Sequence, residues 1–148
     1  MENKLRNIIN KINHDQALLD LRLQNKYQSG KITYNSILYI DIIRSHENKY
    51  TASNIADMLH VSRPSVTQKI NELQKMGIVN KTRSETDKRV FYLSISDEQI
   101  PKELREQDEY AEEQVRSALR EKYSEEDIDK FSDMLTILSE VYTNSYSK

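Results

Sequence analysis

Four residues constrain this chain more than any others: Val61-Ser62-Arg63-Pro64 separate two short amphipathic patterns and make the backbone turn between them. Serine can accept hydrogen bonds from the unpaired amides of the helix it opens. Proline is tolerated in a first helical turn, where no intrahelical donor is lost. Upstream, Thr51 stands where it can cap a helix whose apolar residues Ile55, Met58 and Leu59 recur at i, i+3 and i+4. Downstream, Val66, Ile70 and Leu73 recur at i, i+4 and i+7 and give a second helix one buried face. Gly77 follows Met76 in the place where a helix ends through a residue of positive φ. Two such helices joined by so tight a turn make a helix-turn-helix.

With that apolar face inward, a rotation of about 100° per residue puts Pro64, Ser65, Gln68, Asn71 and Lys75 on the opposite side. This side is polar and nearly free of acid. Gln can pair with adenine through two hydrogen bonds, and a helix N-terminus offers amides to phosphate. Ser62, Arg63, Thr67 and Lys69 complete the expected DNA-contacting set on this helix, with Gln68 the first choice for reading a base. The competing explanation for any one of them is ordinary solvated helix surface.

Residues 78–82 and 89–94 are β-branched and aromatic runs around a polar loop, Arg83-Ser84-Glu85-Thr86-Asp87-Lys88, which predicts a hairpin with a charged tip. A protruding loop bearing Arg can enter a minor groove, where the potential is most negative. Arg83, Asp87, Lys88 and Arg89 are the contact candidates here, with Asp87 placed to hold the Arg89 guanidinium in a fixed direction.

The segment from Thr51 to Ser96 resembles the MarR (multiple antibiotic resistance regulator) family of bacterial transcription factors. Ile55-Ala56, Val61-Ser62, Val66-Thr67, Leu73, Gly77-Ile78-Val79, Asp87-Lys88-Arg89 and Phe91-Tyr92-Leu93 carry the likeness. The chain departs from the pattern after the hairpin, running Ser94-Ile95-Ser96-Asp97-Glu98 where the family often has Thr and a nearby Gly. The resemblance implies a homodimer on a pseudopalindromic double-stranded DNA operator, with Arg89 in a flanking minor groove and Asp87 as its positioning partner. It also implies a repressor that a small-molecule effector can relieve.

Both ends read as long helices. Leu5, Ile8, Ile9, Ile12, Leu19, Leu23 and Tyr27 form one stripe, and residues 36–45 form a second, almost wholly apolar helix that should be buried. Residues 99–122 read as a charged helix with Pro101 in its first turn and Leu104, Tyr110, Ala111, Val115, Ala118 and Leu119 on its inner face. Ser124-Glu125-Glu126-Asp127 resembles a capping box opening a last helix with Ile128, Phe131, Leu135, Leu138, Val141 and Tyr142. The fold class expected is mainly α (α+β): a winged helix-turn-helix domain over 33–98, with 1–32 and 99–148 forming a helical dimerisation region. Through the resemblance, Leu5, Ile8, Ile12, Phe131, Leu135, Leu138 and Tyr142 are the interface candidates; packing within one chain is the alternative.

The net charge of −2 is unequally spread. Residues 51–95 hold seven basic against four acidic residues, and residues 96–148 hold seven against fifteen. Screening over about 8–10 Å leaves the winged segment its local positive potential. There is no cysteine, which excludes a thiol switch, and His14, His46 and His60 are scattered, so no metal or other cofactor is expected. With two glycines there is no phosphate-binding loop, and no catalytic arrangement appears, so the chain is not read as an enzyme. No run is long enough to span a bilayer, and Met1-Glu2-Asn3-Lys4 leads into an amphipathic helix, so a cytoplasmic protein without membrane contact is expected. Among nine tyrosines, Tyr34, Tyr39 and Tyr110 are candidates to line an effector pocket. A winged-helix module for protein contact and a metal-responsive winged-helix repressor are the alternative readings.

Overall fold

The computed structural model describes residues 2–145. It is mainly helical and divides into two compact units, the first ending at Gln99 and the second beginning at Ile100. The first contains α1 (Glu2–Lys26), α2 (Tyr34–Ser45), α3 (Ala52–Leu59), α4 (Arg63–Lys75), β1 (Val79–Arg83), β2 (Phe91–Ile95) and a 3-10 turn (Asp97–Gln99). The second contains α5 (Lys102–Arg120) and α6 (Glu125–Ser145). Residues 1 and 146–148, the extremes of the expected dimerisation region, lie outside the described residues.

In the first unit the core is drawn from one face of each element: Tyr39, Ile40 and Ile43 from α2, Ile55 and Ala56 from α3, Val66, Ile70 and Leu73 from α4, and Val79, Leu93 and Ile95 from the hairpin. All three apolar positions expected on α4 are fully buried. The helix α2 corrects one expectation. Its apolar residues were expected to be buried throughout, yet Leu38 is 43% exposed and Ile37 and Ile42 are half-buried. A single helix lying on one side of a small core has only one face to bury, whatever its composition.

The hairpin pairs antiparallel, with Val79 opposite Ile95, Lys81 opposite Leu93 and Arg83 opposite Phe91. Those six side chains share one face, because side chains alternate along a strand and paired residues point the same way. The far edge of β2 is also occupied: Asn48 donates to the Leu93 carbonyl at 2.9 Å, the Leu93 amide to Tyr50 at 3.0 Å, and the Ile95 amide to the Glu47 carboxylate at 2.9 Å. Both strands start one or two residues later than the sequence pattern suggests. Asp87 and Ser84 hold residues 84–90 as a turn, with the Val90 amide donating to the Asp87 carbonyl at 3.0 Å and the Ser84 amide to the Val90 carbonyl at 2.9 Å.

The second unit is a helix pair joined by a short turn. The expected box is present: the Asp127 amide donates to Ser124 Oγ at 3.2 Å, and the Ser124 amide donates to the Asp127 carboxylate at 3.2 Å. Bonds from Ser124 also hold the Asp127 carboxyl below its ordinary range. The start of α5 is a correction, since the helix begins at Lys102 and not at Gln99. Pro101 stands outside as the N-cap with ψ 131°, an extended conformation that cannot continue the 3-10 turn into the helix. Neither α5 nor α6 has a buried residue, and Tyr110 is 67% exposed. No helix among the described residues is long and apolar enough to cross a membrane.

Candidate nucleic-acid interface

The turn between α3 and α4 is built as its residues require. Thr51 and Asn54 form a reciprocal capping box: the Asn54 amide donates to Thr51 Oγ1 at 3.2 Å, and the Thr51 amide donates to Asn54 Oδ1 at 2.9 Å. At the other end of α3, His60 takes a left-handed conformation (φ 54°) that reverses the chain toward Ser62. Ser62 is extended and accepts from the Ser65 amide at 3.4 Å, with Pro64 inside the first turn of α4. Gly77, at φ 76°, ends α4 in a Schellman arrangement, the Ile78 amide donating to the Leu73 carbonyl at 3.0 Å and Gly77 to Gln74 at 2.9 Å.

Opposite the buried face, α4 presents Arg63, Pro64, Thr67, Gln68, Asn71, Glu72 and Lys75 along one shallow groove. Ser62 and Ser65 are also exposed, and Lys69 is half-buried. One residue here was not anticipated. Glu72 puts a carboxylate in a face expected to be almost free of acid, and its neighbours occupy it: Lys69 Nζ lies 3.0 Å from one oxygen and Gln68 Nε2 donates to the other at 3.4 Å. The Lys69 hydrogen bond is the main reason that the Glu72 carboxyl is held below its ordinary range. The i,i+3 and i,i+4 spacings were the signal in the sequence that could have found this cluster. Arg63 lies 3.9 Å from Asp57 across the turn.

The hairpin meets the exposed edge of α4 through one bond, in which Lys81 Nζ donates to Asn71 Oδ1 at 2.7 Å. Lys81 and Asn71 are ten residues apart on different elements, and no local pattern announces the pair. The Arg83 guanidinium lies over the Phe91 ring, 5.2 Å from its centroid, so Arg83 belongs to the strand and not to the tip. Lys88 and Arg89 are exposed in the loop. Asp87 does hold Arg89, though through the backbone: the Arg89 amide donates to Asp87 Oδ1 at 2.9 Å. The carboxylate therefore fixes the loop and leaves the guanidinium to reach outward.

The three tyrosines serve separate purposes. Tyr39 is part of the core, and Tyr34 on α2 donates to Asp20 on α1 at 2.7 Å. That bond, more than burial, pushes the Tyr34 hydroxyl up to about 12. Tyr110 stands exposed on α5 in the other unit. The His46 ring stacks on Tyr50 with centroids 4.0 Å apart, and His60 is the turn residue described above. Among the described residues no three His, Asp or Glu side chains gather in a metal-ligating group.

Residues 32–91 match the model of the MarR family. No curated protein matches the chain in sequence. Among solved structures, the chain is similar to Streptococcus pneumoniae FabT in complex with DNA, at 21% identity and a TM-score of 0.59, covering 97% of this chain and 99% of that one. It is similar to a mutant of MepR from a multidrug resistant S. aureus clinical isolate, at 18% identity and a TM-score of 0.65, with 93% and 96% covered. It is also similar to a MarR protein from Peptoclostridium difficile, at 21% identity and a TM-score of 0.52, with 94% and 89% covered. At these identities the likeness establishes a shared winged-helix fold.

Proposed function

We propose that this chain, whose residues 32–91 match the model of the MarR family, is a transcriptional regulator, acting as a repressor, that binds a pseudopalindromic duplex as a homodimer. The observation that supports this most is the Lys81–Asn71 bond, because it joins the base of the cationic hairpin to the exposed polar edge of α4. A helix presenting Gln68 and Asn71 fits a major groove, and a neighbouring loop with Lys88 and Arg89 fits the adjacent minor groove. The Arg63 and Lys75 side chains at either end of the α4 groove supply phosphate contacts. Work of this kind places the protein in the cytoplasm, and it needs neither catalysis nor a cofactor.

In a dimer, both copies of α4 must meet half-sites about 34–36 Å apart, so an effector that changed this separation would release the DNA. The residues 1–32 and 99–148 are proposed as the dimerisation region, with Leu5, Ile8, Ile12, Phe131, Leu135, Leu138 and Tyr142 at the contact. Polarisation titrations of a labelled duplex pool at several salt concentrations test the reading. Binding by phosphate neutralisation should weaken steeply as salt rises. A flat or absent response would favour a module for protein contact.

Two substitutions separate the groove contacts. Gln68→Ala should relax discrimination at one base position by about 1–3 kcal/mol while leaving the others alone. Arg89→Ala should weaken binding and reduce the preference for A·T pairs beside the half-sites. Competition titrations with single-base variants of the preferred duplex read both effects; an equal loss on all sequences from Gln68→Ala would make it a backbone contact.

A further inference from the structure

Resting on the DNA-binding reading above, we propose that Glu72 is a specificity-determining residue of α4, whose carboxylate accepts from the 4-amino group of a cytosine in the major groove, and that Lys69 is its positioning residue. Glu72 is the sole acid between Arg63 and Lys75, and it lines the same exposed groove as Thr67, Gln68 and Asn71. An ionised carboxylate facing a duplex meets phosphates of its own sign, so it lowers the affinity for every sequence. What it brings is selection. A carboxylate has acceptors and no donor, which matches the amino group that cytosine presents in the major groove and opposes the O6 and N7 of guanine and the O4 of thymine. Adenine is a poorer match, because its N7 acceptor stands beside its amino group.

The neighbours of Glu72 set it apart from a freely rotating surface acid. Lys69 Nζ lies 3.0 Å from one carboxylate oxygen and Gln68 Nε2 donates to the other at 3.4 Å, so both oxygens are tied to the preceding turn of α4. Each contact uses one acceptor position of its oxygen, and an ionised carboxylate has about four, so capacity for a base remains. The Lys69 side chain is 21% exposed and that of Glu72 is 49% exposed. The carboxylate is therefore the open member of the pair and the ammonium its support, whereas a phosphate contact would need the ammonium itself at the surface. The same ammonium offsets part of the repulsion from the duplex. It also holds the carboxyl below its ordinary range, and so ionised, where phosphate charge by itself would favour the protonated form.

The test uses the intact chain and duplexes it enriches from a random pool. In the strongest of these, each C·G pair is replaced singly by U·A, which puts an O4 acceptor where the amino donor stood, and singly by G·C. The unsubstituted protein should lose about tenfold at one C·G pair in each half-site under both replacements. Glu72→Ala should become indifferent to the base at that position alone, keep its other preferences, and bind unrelated duplexes about threefold more tightly at low salt. Lys69→Met should lose most of the same discrimination and no other, with its circular dichroism and unfolding midpoint unchanged. Retention of the whole base pattern by Glu72→Ala would overturn the proposal, as would a gain of affinity equal on all sequences, which would make Glu72 a general repellent. Full discrimination in Lys69→Met would overturn its positioning role. Failure of the intact protein to enrich any duplex would remove the DNA-binding reading itself, an outcome distinct from enrichment of duplexes in which no C·G pair answers to Glu72.

Discussion

Ile8→Glu combined with Leu135→Glu is expected to give folded monomers that hold the preferred duplex about 100-fold less tightly or worse. The size of the effect follows from where these side chains stand. Ile8 is 49% exposed on α1 and Leu135 is 42% exposed on α6. A carboxylate at either place is solvated in the single chain, so the substitution leaves the fold of each unit in water's reach and undisturbed. In a dimer that buries these positions, the same carboxylates lose their water without gaining a partner, a cost of several kcal/mol. The apolar side chains around them belong to helices that are long and poorly covered: Leu5 and Ile12 on α1, and Phe131, Met134, Ile137 and Val141 on α6, are all exposed. Helices of this kind draw most of their stability from packing, and the exposed apolar stripe along each of them is what contact with a second copy would cover. Once the dimer is lost, each half-site must be bound by itself, and the gain from linking two weak contacts disappears. Sedimentation measured beside polarisation checks both parts. A doubly substituted chain that still sediments as a dimer, or binds with undiminished affinity, would place the interface elsewhere.

The features read correctly from the residues are those set by short-range physics. Ser62, Pro64 and Gly77 act on backbone groups within four or five positions, and each stands where its own conformational preference predicts. The same holds for Ser124 and Asp127. Periodicity also served well on α4, where Val66, Ile70 and Leu73 all point inward. It failed on α2, because composition tells how apolar a helix is and not how many of its faces find a neighbour; Leu38 is the consequence. In the candidate interface, exposure of Gln68, Asn71 and Arg89 was legible from the helical and hairpin patterns. What those side chains hold onto was not. Asp87 was expected to grip a guanidinium and instead binds the Arg89 amide, since a carboxylate two residues before an N–H closes a turn with less ordering of side chain. Lys81 reaches Asn71 only once the hairpin has folded back against α4, a contact that no spacing in the sequence encodes.

Leu73→Ala provides the complementary prediction, a large loss of stability with no change of base preference. Leu73 is fully buried together with Val66 and Ile70, and truncating such a side chain removes its transfer energy and leaves a cavity, at a cost of about 2–5 kcal/mol. Against a domain stability of about 5–15 kcal/mol this is a sizeable share. The carbonyl of Leu73 also receives the Ile78 amide that closes α4, but this bond belongs to the backbone and survives the substitution. The native helix should therefore still present Gln68 and Asn71 in the same direction, so the fraction that remains folded ranks duplexes as before. The urea midpoint should fall while the slope of the transition is kept. On the other side of the same helix, Gln68→Ala should change the unfolding free energy by less than about 0.5 kcal/mol while altering base preference. The two variants test one claim from opposite faces: α4 divides cleanly into a side that holds the unit together and a side that reads. A Leu73→Ala protein with an unmoved midpoint, or one whose preferred sequence changes, would show that the division is not where the burial pattern draws it.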